Sequence, residues 1–568
     1  MFFRANRPQF TLFLTVLAIG SLLVLTTPVV HADIGIKATS VGPVVIEHES
    51  GFTSGAWKIE RAWDRAAELE FAAFMKQFGE EREKRGFTFA QGVKNPKVNL
   101  LWTEDDKDFE VKVDCATFPY LIRAYFAYKT RRPFMWHSNK GRRYGKENKP
   151  RLYSDFSMFT ELSEFFSALD SSLSSAHFRM NALLEGTDTY PVDVTKESVI
   201  PGTVYYDPNG HVMIAYKVDE YDGDMYFLDS HPDGTMTIRQ FGKRYAIGSS
   251  ALGGGFRVWR HDRVEVIDEE TGAFRIIRQS NSESDFYSAD AQYKWDYEVD
   301  GFKLNYWEWV RSKVSRNGVY AYPIEDFDLL LDTVCEEVQA RVSAVRGGMT
   351  AGMHLKAQPA QLPFNIYGAS GEWEEYATPG RDVRVRAAFT EAYVYVLKTM
   401  ELAAEGSGRL KYALEPWDLY REFQRIWEEH QHNKICQFDY ENSNGESVSL
   451  TLDDIMERLF DLSFDPYHCP ELRWGAGPKS ESKKARAEFD SCPENSRKLF
   501  WFNEESRLRN RTTRLVTRGT ATHRGPSGRP DINIPELLKC YQDNVPVWDK
   551  CHHARRRFLR NIQPTPDR

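Results

Sequence analysis

The chain has 568 residues, of which 41% are hydrophobic, 14% aromatic and 27% charged. This composition is ordinary for a globular protein and excludes a disordered or fibrous chain, and the length predicts about two to four domains. The formal net charge is -8, and no basic tract is interleaved with aromatic residues. The positive footprint of a nucleic-acid-binding protein is therefore missing, and we expect no nucleic acid partner.

The N-terminus predicts an export signal. Arg4 and Arg7 precede an apolar run at 10–25, and small residues lead up to Ala32. This order is typical of a secretory signal peptide spanning 1–32 and cleaved after Ala32. The apolar run is shorter than the roughly 20 residues that a spanning helix prefers. We therefore expect an exported protein, periplasmic or secreted, with no integral membrane span after cleavage.

From the mature N-terminus onward, helical spacing of apolar residues predicts three helices, at 54–78, 114–129 and 158–184. Ser54 and Asp114 are the expected N-caps of the first two. Two charged segments, 79–98 and 137–151, are predicted loops.

Short runs of apolar and aromatic residues then predict four strands, at 203–206, 212–218, 225–229 and 256–259. The Asp- and Gly-rich segment 219–224 is the expected hairpin loop between the second and the third. Short strands continue to about residue 277. Beyond them helical patterns dominate, at 302–314, 325–346, 381–404, 416–430, 452–462, 482–490 and 495–515.

The cysteines fit an oxidising compartment. The chain has seven, namely Cys115, Cys335, Cys436, Cys469, Cys492, Cys540 and Cys551. An odd number leaves at least one thiol unpaired, and Cys115 is the natural candidate because the other six lie beyond residue 330. Proximity in the sequence favours the pairs Cys469 with Cys492 and Cys540 with Cys551. His430, His432 and Cys436 lack metal-ligand spacing, so we expect no metal and no cofactor.

Two segments carry the residues of a thiol nucleophile and its base. Cys115 follows Asp114 at the start of a predicted helix, and His211 follows Gly210 at the start of a predicted strand. The positive end of a helix dipole favours the thiolate, which is the reactive form of cysteine. A nucleophile beside a base is the basic unit of thiol catalysis. Taken singly, Cys115 is more typical of a core-filling thiol than of a nucleophile.

The third member of this site has two candidates, Asp229 and His231, at the end of the next strand. Counting back from a symmetrical hairpin turn places Asp229 opposite Tyr216, away from His211. Contact between His211 and Asp229 then requires a bulge or an asymmetric loop, so the count alone favours His231. No motif assigns the side chain of an oxyanion hole, although Trp102 and Thr103 lie upstream.

These segments resemble the papain-like thiol hydrolase superfamily. Asp114-Cys115-Ala116-Thr117-Phe118 is similar to the nucleophile segment of NlpC-type and CHAP-type cell-wall amidases. Pro201-Gly202-Thr203 and Gly210-His211-Val212 are similar to their base segment, and transglutaminase-like proteases are the near alternative. The resemblance implies Cys115 as nucleophile, His211 as base and Asp229 as orienting residue, because Leu228-Asp229 matches the Leu-Asp ending of the transglutaminase-like proteins.

The resemblance also implies an α+β fold with a papain-like core. In such a core a helix carrying the cysteine packs on a small antiparallel sheet, and here a mainly α-helical, disulfide-containing region follows. The expected divisions are a signal peptide at 1–32, an N-terminal helical segment at 33–112, a catalytic core at 113–262 and the helical region at 263–568. The separation of Cys115 from His211 implies an insertion near 130–195.

The expected function is an exported thiol-dependent amide hydrolase, a peptidase or amidase that works through a cysteine thioester. Its expected partner is a peptide or peptidoglycan substrate. Two alternatives remain open at this point: a transglutaminase-like acyl transferase or protease, and a catalytically inactive papain-like binding module.

Overall fold

The structure of the protein is a computed structural model. It describes residues 36–37, 44–49, 57–138, 152–207, 211–231, 234–242, 245, 250, 253–294, 297–363, 366, 371–415, 418–480, 482–493, 495–509, 516–517, 520–521, 532–544 and 551. The predicted signal peptide and most of the predicted loop at 137–151 lie outside the described residues. None of the helices in the described ranges is long and apolar enough to cross a membrane.

Helices and strands both contribute substantially, and the prediction of a mixed α+β protein is confirmed. The helices are α1 Arg65–Lys84, α2 Phe89–Lys94, α3 Thr117–Lys129, α4 Leu162–Ser172, α5 Tyr306–Val314, α6 Pro323–Thr350, α7 Glu372–Tyr376, α8 Pro379–Ala404, α9 Leu419–His432, α10 Leu452–Arg458, α11 Pro470–Arg473, α12 Lys483–Glu488, α13 Ser496–Glu504, α14 Ser506–Arg509 and α15 Ile534–Asp543. The strands are β1 Ile36–Lys37, β2 Val45–His48, β3 Met135–Ser138, β4 Leu152–Asp155, β5 Thr189–Pro191, β6 Val204–Asp207, β7 His211–Val218, β8 Met225–Ser230, β9 Met236–Gln240, β10 Gly255–Trp259, β11 Asp262–Asp268, β12 Ala273–Arg278, β13 Tyr297–Val299, β14 Phe302–Leu304, β15 Phe438–Glu441, β16 Ser447–Leu450, β17 Val516–Thr517 and β18 Thr520–Ala521.

A six-stranded antiparallel sheet, in the order β5-β10-β6-β7-β8-β9, forms the centre of the N-terminal half. Its inner strands β10, β6, β7 and β8 are the four that the sequence predicts. The edge strands β5 and β9 were not predicted. In β9 the apolar Met236 and Ile238 alternate with Thr237 and Arg239, which is typical of a half-buried strand, but this pattern is short and directly follows a turn-prone segment.

The two faces of this sheet pack against different layers. Val212, Ile214 and Tyr216 of β7 face the aromatic core that α1 and α3 complete. Met213 and Ala215, which alternate with them, face a second core that includes residues of α5. Alternation along a strand sends successive side chains to opposite faces, so these five residues of β7 divide between the two cores.

The first predicted helix begins later and ends later than expected. Trp57 and Trp63 precede it, and their indole N–H groups donate to backbone carbonyls at 132 and 133 instead of lining a helix face. Asp64 caps α1 by accepting a hydrogen bond from the backbone N–H of Ala67 at 2.7 Å. The helix then continues to Lys84, and α2 lies within the segment that was predicted to be a loop.

α1 approaches the sheet closely at Gly79. A Cβ atom at this position would lie 2.0 Å from the ring of Tyr216 on β7. The missing side chain therefore permits the helix to sit directly on the strand that begins with His211.

The C-terminal half is mainly helical. α6 and α8 pack against each other, and α9 and the β15–β16 hairpin complete a large apolar core. Three disulfides are present, Cys335–Cys436, Cys469–Cys492 and Cys540–Cys551, so both pairs expected from proximity are formed. Cys115 is the free cysteine.

Candidate active site

The turn before α3 holds Cys115 in a fixed backbone arrangement. Oδ1 of Asp114 accepts hydrogen bonds from the backbone N–H groups of Ala116 and Thr117, at 2.9 and 2.8 Å. The Thr117 hydroxyl oxygen accepts from the backbone N–H of Asp114 at 2.9 Å. The helix begins at Thr117, so Cys115 lies just before it and not in its first turn, where the sequence placed it.

This turn lies across the end of the β7–β8 ladder. Ile214 and Leu228 are the last paired residues toward that end. Beyond them the Ser230 hydroxyl donates to the carbonyl of Val113 at 3.0 Å, and the backbone N–H of Val212 donates to the thiol of Cys115. The cysteine therefore occupies the gap between the strand that begins with His211 and the strand that carries Asp229.

His211 and Asp229 form a buried pair. Nε2 of His211 lies 2.5 Å from Oδ2 of Asp229, and both side chains are shielded from solvent. A bulge at Tyr216 shifts the register between β7 and β8 by one residue. If the register of Ile214 with Leu228 continued, His231 would lie opposite His211 and Asp229 would be its diagonal neighbour. A long side chain reaches such a neighbour, which explains the contact that symmetrical counting missed.

His231 lies beside this pair without replacing Asp229. Its ring is stacked near the His211 ring with centroids 6.2 Å apart, and its Nε2 is 3.1 Å from the hydroxyl of Thr237. The same nitrogen is 3.8 Å from Oδ1 of Asp229. Of the two candidates, Asp229 is the one that contacts His211 through a hydrogen bond.

The electrostatics favour a charged carboxylate beside a neutral imidazole. Burial alone would raise the pKa of Asp229, but Arg239, His231 and His211 outweigh it and hold that pKa well below its usual value. Burial, together with the charge of Arg384, lowers the pKa of His211 despite its hydrogen bond to Asp229. His211 is therefore uncharged at neutral pH.

The thiol is also neutral at rest. Burial raises the pKa of Cys115, and the negative charge of Asp114 raises it further, while the Val212 N–H and Arg384 act in the opposite direction. The described side chains show no hydrogen bond between Cys115 and His211. Proton transfer between the thiol and the imidazole would require the two side chains to come closer together, and a bound substrate would have to bring this about.

The two side chains considered for an oxyanion hole lie elsewhere. Nε1 of Trp102 donates to the carbonyl of Lys94 at 3.0 Å, and the Thr103 hydroxyl accepts from Nζ of Lys129. Lys129 is the last residue of α3, about 20 Å along the helix from the end where Cys115 lies. Neither side chain is placed to serve Cys115.

Sequence patterns missed the cationic surroundings of Asp229. Nε of Arg239 on β9 is 3.4 Å from Oδ2 of Asp229, and Arg384 on α8 acts on both Cys115 and His211. A single arginine in a short strand and another in a long helix carry no local signal. Their relation to the site arises only from the packing of the C-terminal helices.

One other cluster has the side chains of a metal site. Asp465, His468 and Glu505 are buried, and their ligand atoms lie within 4.8 Å of one another. Nη1 of Arg509 is 3.9 Å from Oε2 of Glu505, and the charge of Arg473 also acts on that carboxylate. Burial and the neighbouring Asp465 raise the pKa of Glu505 well above its usual value, more than the two arginines lower it. Glu505 is therefore protonated and can share its proton with Asp465, so the cluster is explained as a buried polar network. The sulfur atoms of Cys469 and Cys492 near Glu471 form a disulfide.

The chain matches no protein-family model, no curated protein and no solved structure.

Proposed function

We propose that the protein is an exported thiol-dependent amide hydrolase with a papain-like core. Cys115 would be the nucleophile, His211 the general base and acid, and Asp229 the residue that orients the imidazole. The observation that carries the proposal is the 2.5 Å contact between Nε2 of His211 and Asp229, at the strand end where the Cys115 thiol also lies. A peptide, in the first instance a cell-wall peptide, is the proposed substrate.

The contacts define the role of each imidazole nitrogen. Because Nε2–H is donated to the Asp229 carboxylate, Nδ1 carries the lone pair that can accept a proton. As the sulfur of Cys115 bonds to the amide carbon, the thiol proton passes to Nδ1. The tetrahedral intermediate then expels the amine, which takes the same proton from His211 and leaves a thioester on Cys115.

Hydrolysis completes the cycle. His211 takes a proton from a water molecule as its oxygen attacks the thioester carbon. The sulfur leaves as a carboxylic acid is released, and the proton returns from His211 to Cys115. The buried, negatively charged Asp229 stabilises the imidazolium that exists during both transfers.

The disulfides support export, because such bonds persist in oxidising compartments. One free thiol beside three disulfides is also consistent with a cysteine that is kept reduced for chemistry.

A catalytically inactive papain-like binding module is the second candidate. The raised pKa of the Cys115 thiol and its hydrogen bond to a backbone N–H, not to His211, are features of a structural thiol. The two candidates differ in the reactivity that they predict for this cysteine.

Labelling of the mature protein with an iodoacetamide probe attached to a peptide separates them, because a bound peptide can complete the approach of Cys115 to His211. If the protein is a hydrolase, the wild type should be labelled faster than a free model thiol. Labelling should be absent in Cys115→Ala and slower in His211→Asn than in the wild type. Labelling no faster than the model thiol would remove the proposal and leave the binding module. Product analysis on cell-wall peptides, with and without an added amine, then separates hydrolysis from transglutaminase-like transfer.

A further inference from the structure

The side chain of Asp229 is the start of a buried chain of charges that leads out of the sheet. Oδ2 of Asp229 contacts Nε of Arg239 at 3.4 Å, and Nη1 of Arg239 contacts Oε2 of Glu337 at 3.1 Å. The same Glu337 oxygen lies 3.3 Å from Nε of Arg384. Glu337 belongs to α6 and Arg384 to α8, so the chain joins the orienting carboxylate to the helical C-terminal region.

These charged groups are buried, so each of them needs a partner of opposite charge. Arg239 and Glu337 each have a side chain only 1% exposed, and Asp229 is fully shielded. A buried charge without a partner destabilises the folded protein, so the ion pairs hold these side chains in fixed positions. Arg239 could instead draw the Asp229 carboxylate to itself, away from His211. Its contact with Glu337 reduces that competition.

The charge balance also reaches His211. The charged or titratable groups that pair with it or act on it are Asp207 on β6, Asp229 and His231 at the end of β8, Arg239 on β9 and Arg384 on α8. Cys115, before α3, lies beside the next residue of the strand, Val212. Arg239 and Arg384 both oppose protonation of His211. Glu337 contacts both cations and so offsets their effect.

We propose that Glu337 and Arg384 are positioning residues of the Cys115–His211–Asp229 site, which the C-terminal helices complete from outside the sheet. The inference rests on the proposed function, and it assigns a role to the region beyond residue 263. The C-terminal region would hold the Asp229 carboxylate in place and set the charge beside His211. The catalytic core would therefore not be active without the C-terminal region.

The test follows the titration of His211 by NMR in the mature full chain labelled at the histidine side chains, with His211→Gln to identify its signal. Glu337→Gln leaves two cations without their shared carboxylate, so we expect the His211 transition to move to lower pH. Arg384→Gln removes a cation and should move it to higher pH. In the double variant the two effects should largely cancel.

Asp326→Asn is the matched control. Asp326 also lies on α6, is buried, and pairs with an arginine, Arg311 at 3.3 Å, as well as with the hydroxyl of Tyr395. It should cost comparable stability while leaving the His211 transition in place. A His211 transition that is the same in wild type, Glu337→Gln and Arg384→Gln would overturn the inference. The titration needs no turnover, so an unreactive Cys115 would end the proposed function through the labelling experiment alone.

Discussion

The thiol of Cys115 accepts a hydrogen bond from the backbone N–H of Val212, the residue that directly follows His211. This contact brings the cysteine to the strand end where the imidazole begins, although α3 packs on one face of the sheet and the alternation of β7 directs His211 toward the other. The proposed nucleophile and base therefore approach each other around the end of the strand. Substrate that enters this end would lie between them.

Asp229, and not His231, should control the base. We expect Asp229→Asn to reduce the rate of peptide hydrolysis by about 10⁴-fold, because the amide can hold the wrong imidazole tautomer. His231→Asn should reduce the rate by less than about tenfold, since its Nε2 contacts Thr237 and only borders the pair. The measurement is kcat on a peptide substrate for the two variants, with circular dichroism as the folding control. A larger loss in His231→Asn would reverse the assignment.

The acidic limb of the activity profile should lie below the usual pKa of histidine. Burial and Arg384 lower the pKa of His211, and the base must be neutral to accept the thiol proton. Activity should therefore be retained through mildly acidic pH and fall only as His211 becomes protonated. Profiles of kcat/KM against pH for wild type and Arg384→Gln provide the check. The limb should move to higher pH in the variant, and an unchanged limb would show that another group titrates.

Thiol counting should give one free cysteine. We expect a thiol reagent to detect a single thiol in the denatured, unreduced protein and none in Cys115→Ala. Peptide mapping should recover the three disulfides. A labelled cysteine other than Cys115 would contradict both the pairing and the choice of nucleophile.

The disulfides should differ in their contribution to stability. Cys335 and Cys436 are 101 residues apart, and closing a loop of this length stabilises a fold by about 4.7 kcal/mol in the chain-entropy description. Cys540 and Cys551 are only 11 residues apart, which corresponds to about 3 kcal/mol. Replacing the first pair with serines should lower the midpoint of urea unfolding more than replacing the second. Equal losses would show that local strain or packing outweighs loop length.

Glu68 should stabilise the fold in a manner that depends on pH. Burial alone would raise its pKa, but Arg123 at 2.5 Å and His261 at 2.9 Å lower it to about 2. A depressed carboxyl pKa contributes stability that is fully present above the unfolded value of 4.5 and is lost as pH falls toward 2. Glu68→Gln should therefore cost about 3 kcal/mol at pH 7, and its difference from wild type should shrink as the pH falls from 4.5 toward 2.

Urea unfolding followed by tryptophan fluorescence measures this loss at each pH. Glu70→Gln is the control, since Glu70 lies on the same helix and pairs with arginines but is much more exposed. It should cost about 1 kcal/mol or less. A loss in Glu68→Gln that stays constant with pH would contradict the ionic origin of the effect.

The sequence by itself determined the mixed α+β class, the inner strands of the sheet, the two short-range disulfides and the free cysteine. Each depends on local information: short runs of apolar residues, the spacing of cysteines, or an odd count of cysteines. It also brought Cys115, His211 and Asp229 together as a hypothesis, through a resemblance that covers short segments.

Only the tertiary structure decided the geometry around that hypothesis. The bulge at Tyr216 made Asp229 the hydrogen-bond partner of His211, and the capped turn at Asp114 placed Cys115 before α3. Glu337 and Arg384 are placed beside the site because α6 packs against β9 and α8 packs against α6. Glu337 lies 98 residues beyond Arg239, the strand residue that it contacts. Contacts of this kind depend on how whole layers dock, and no local pattern of residue types encodes them.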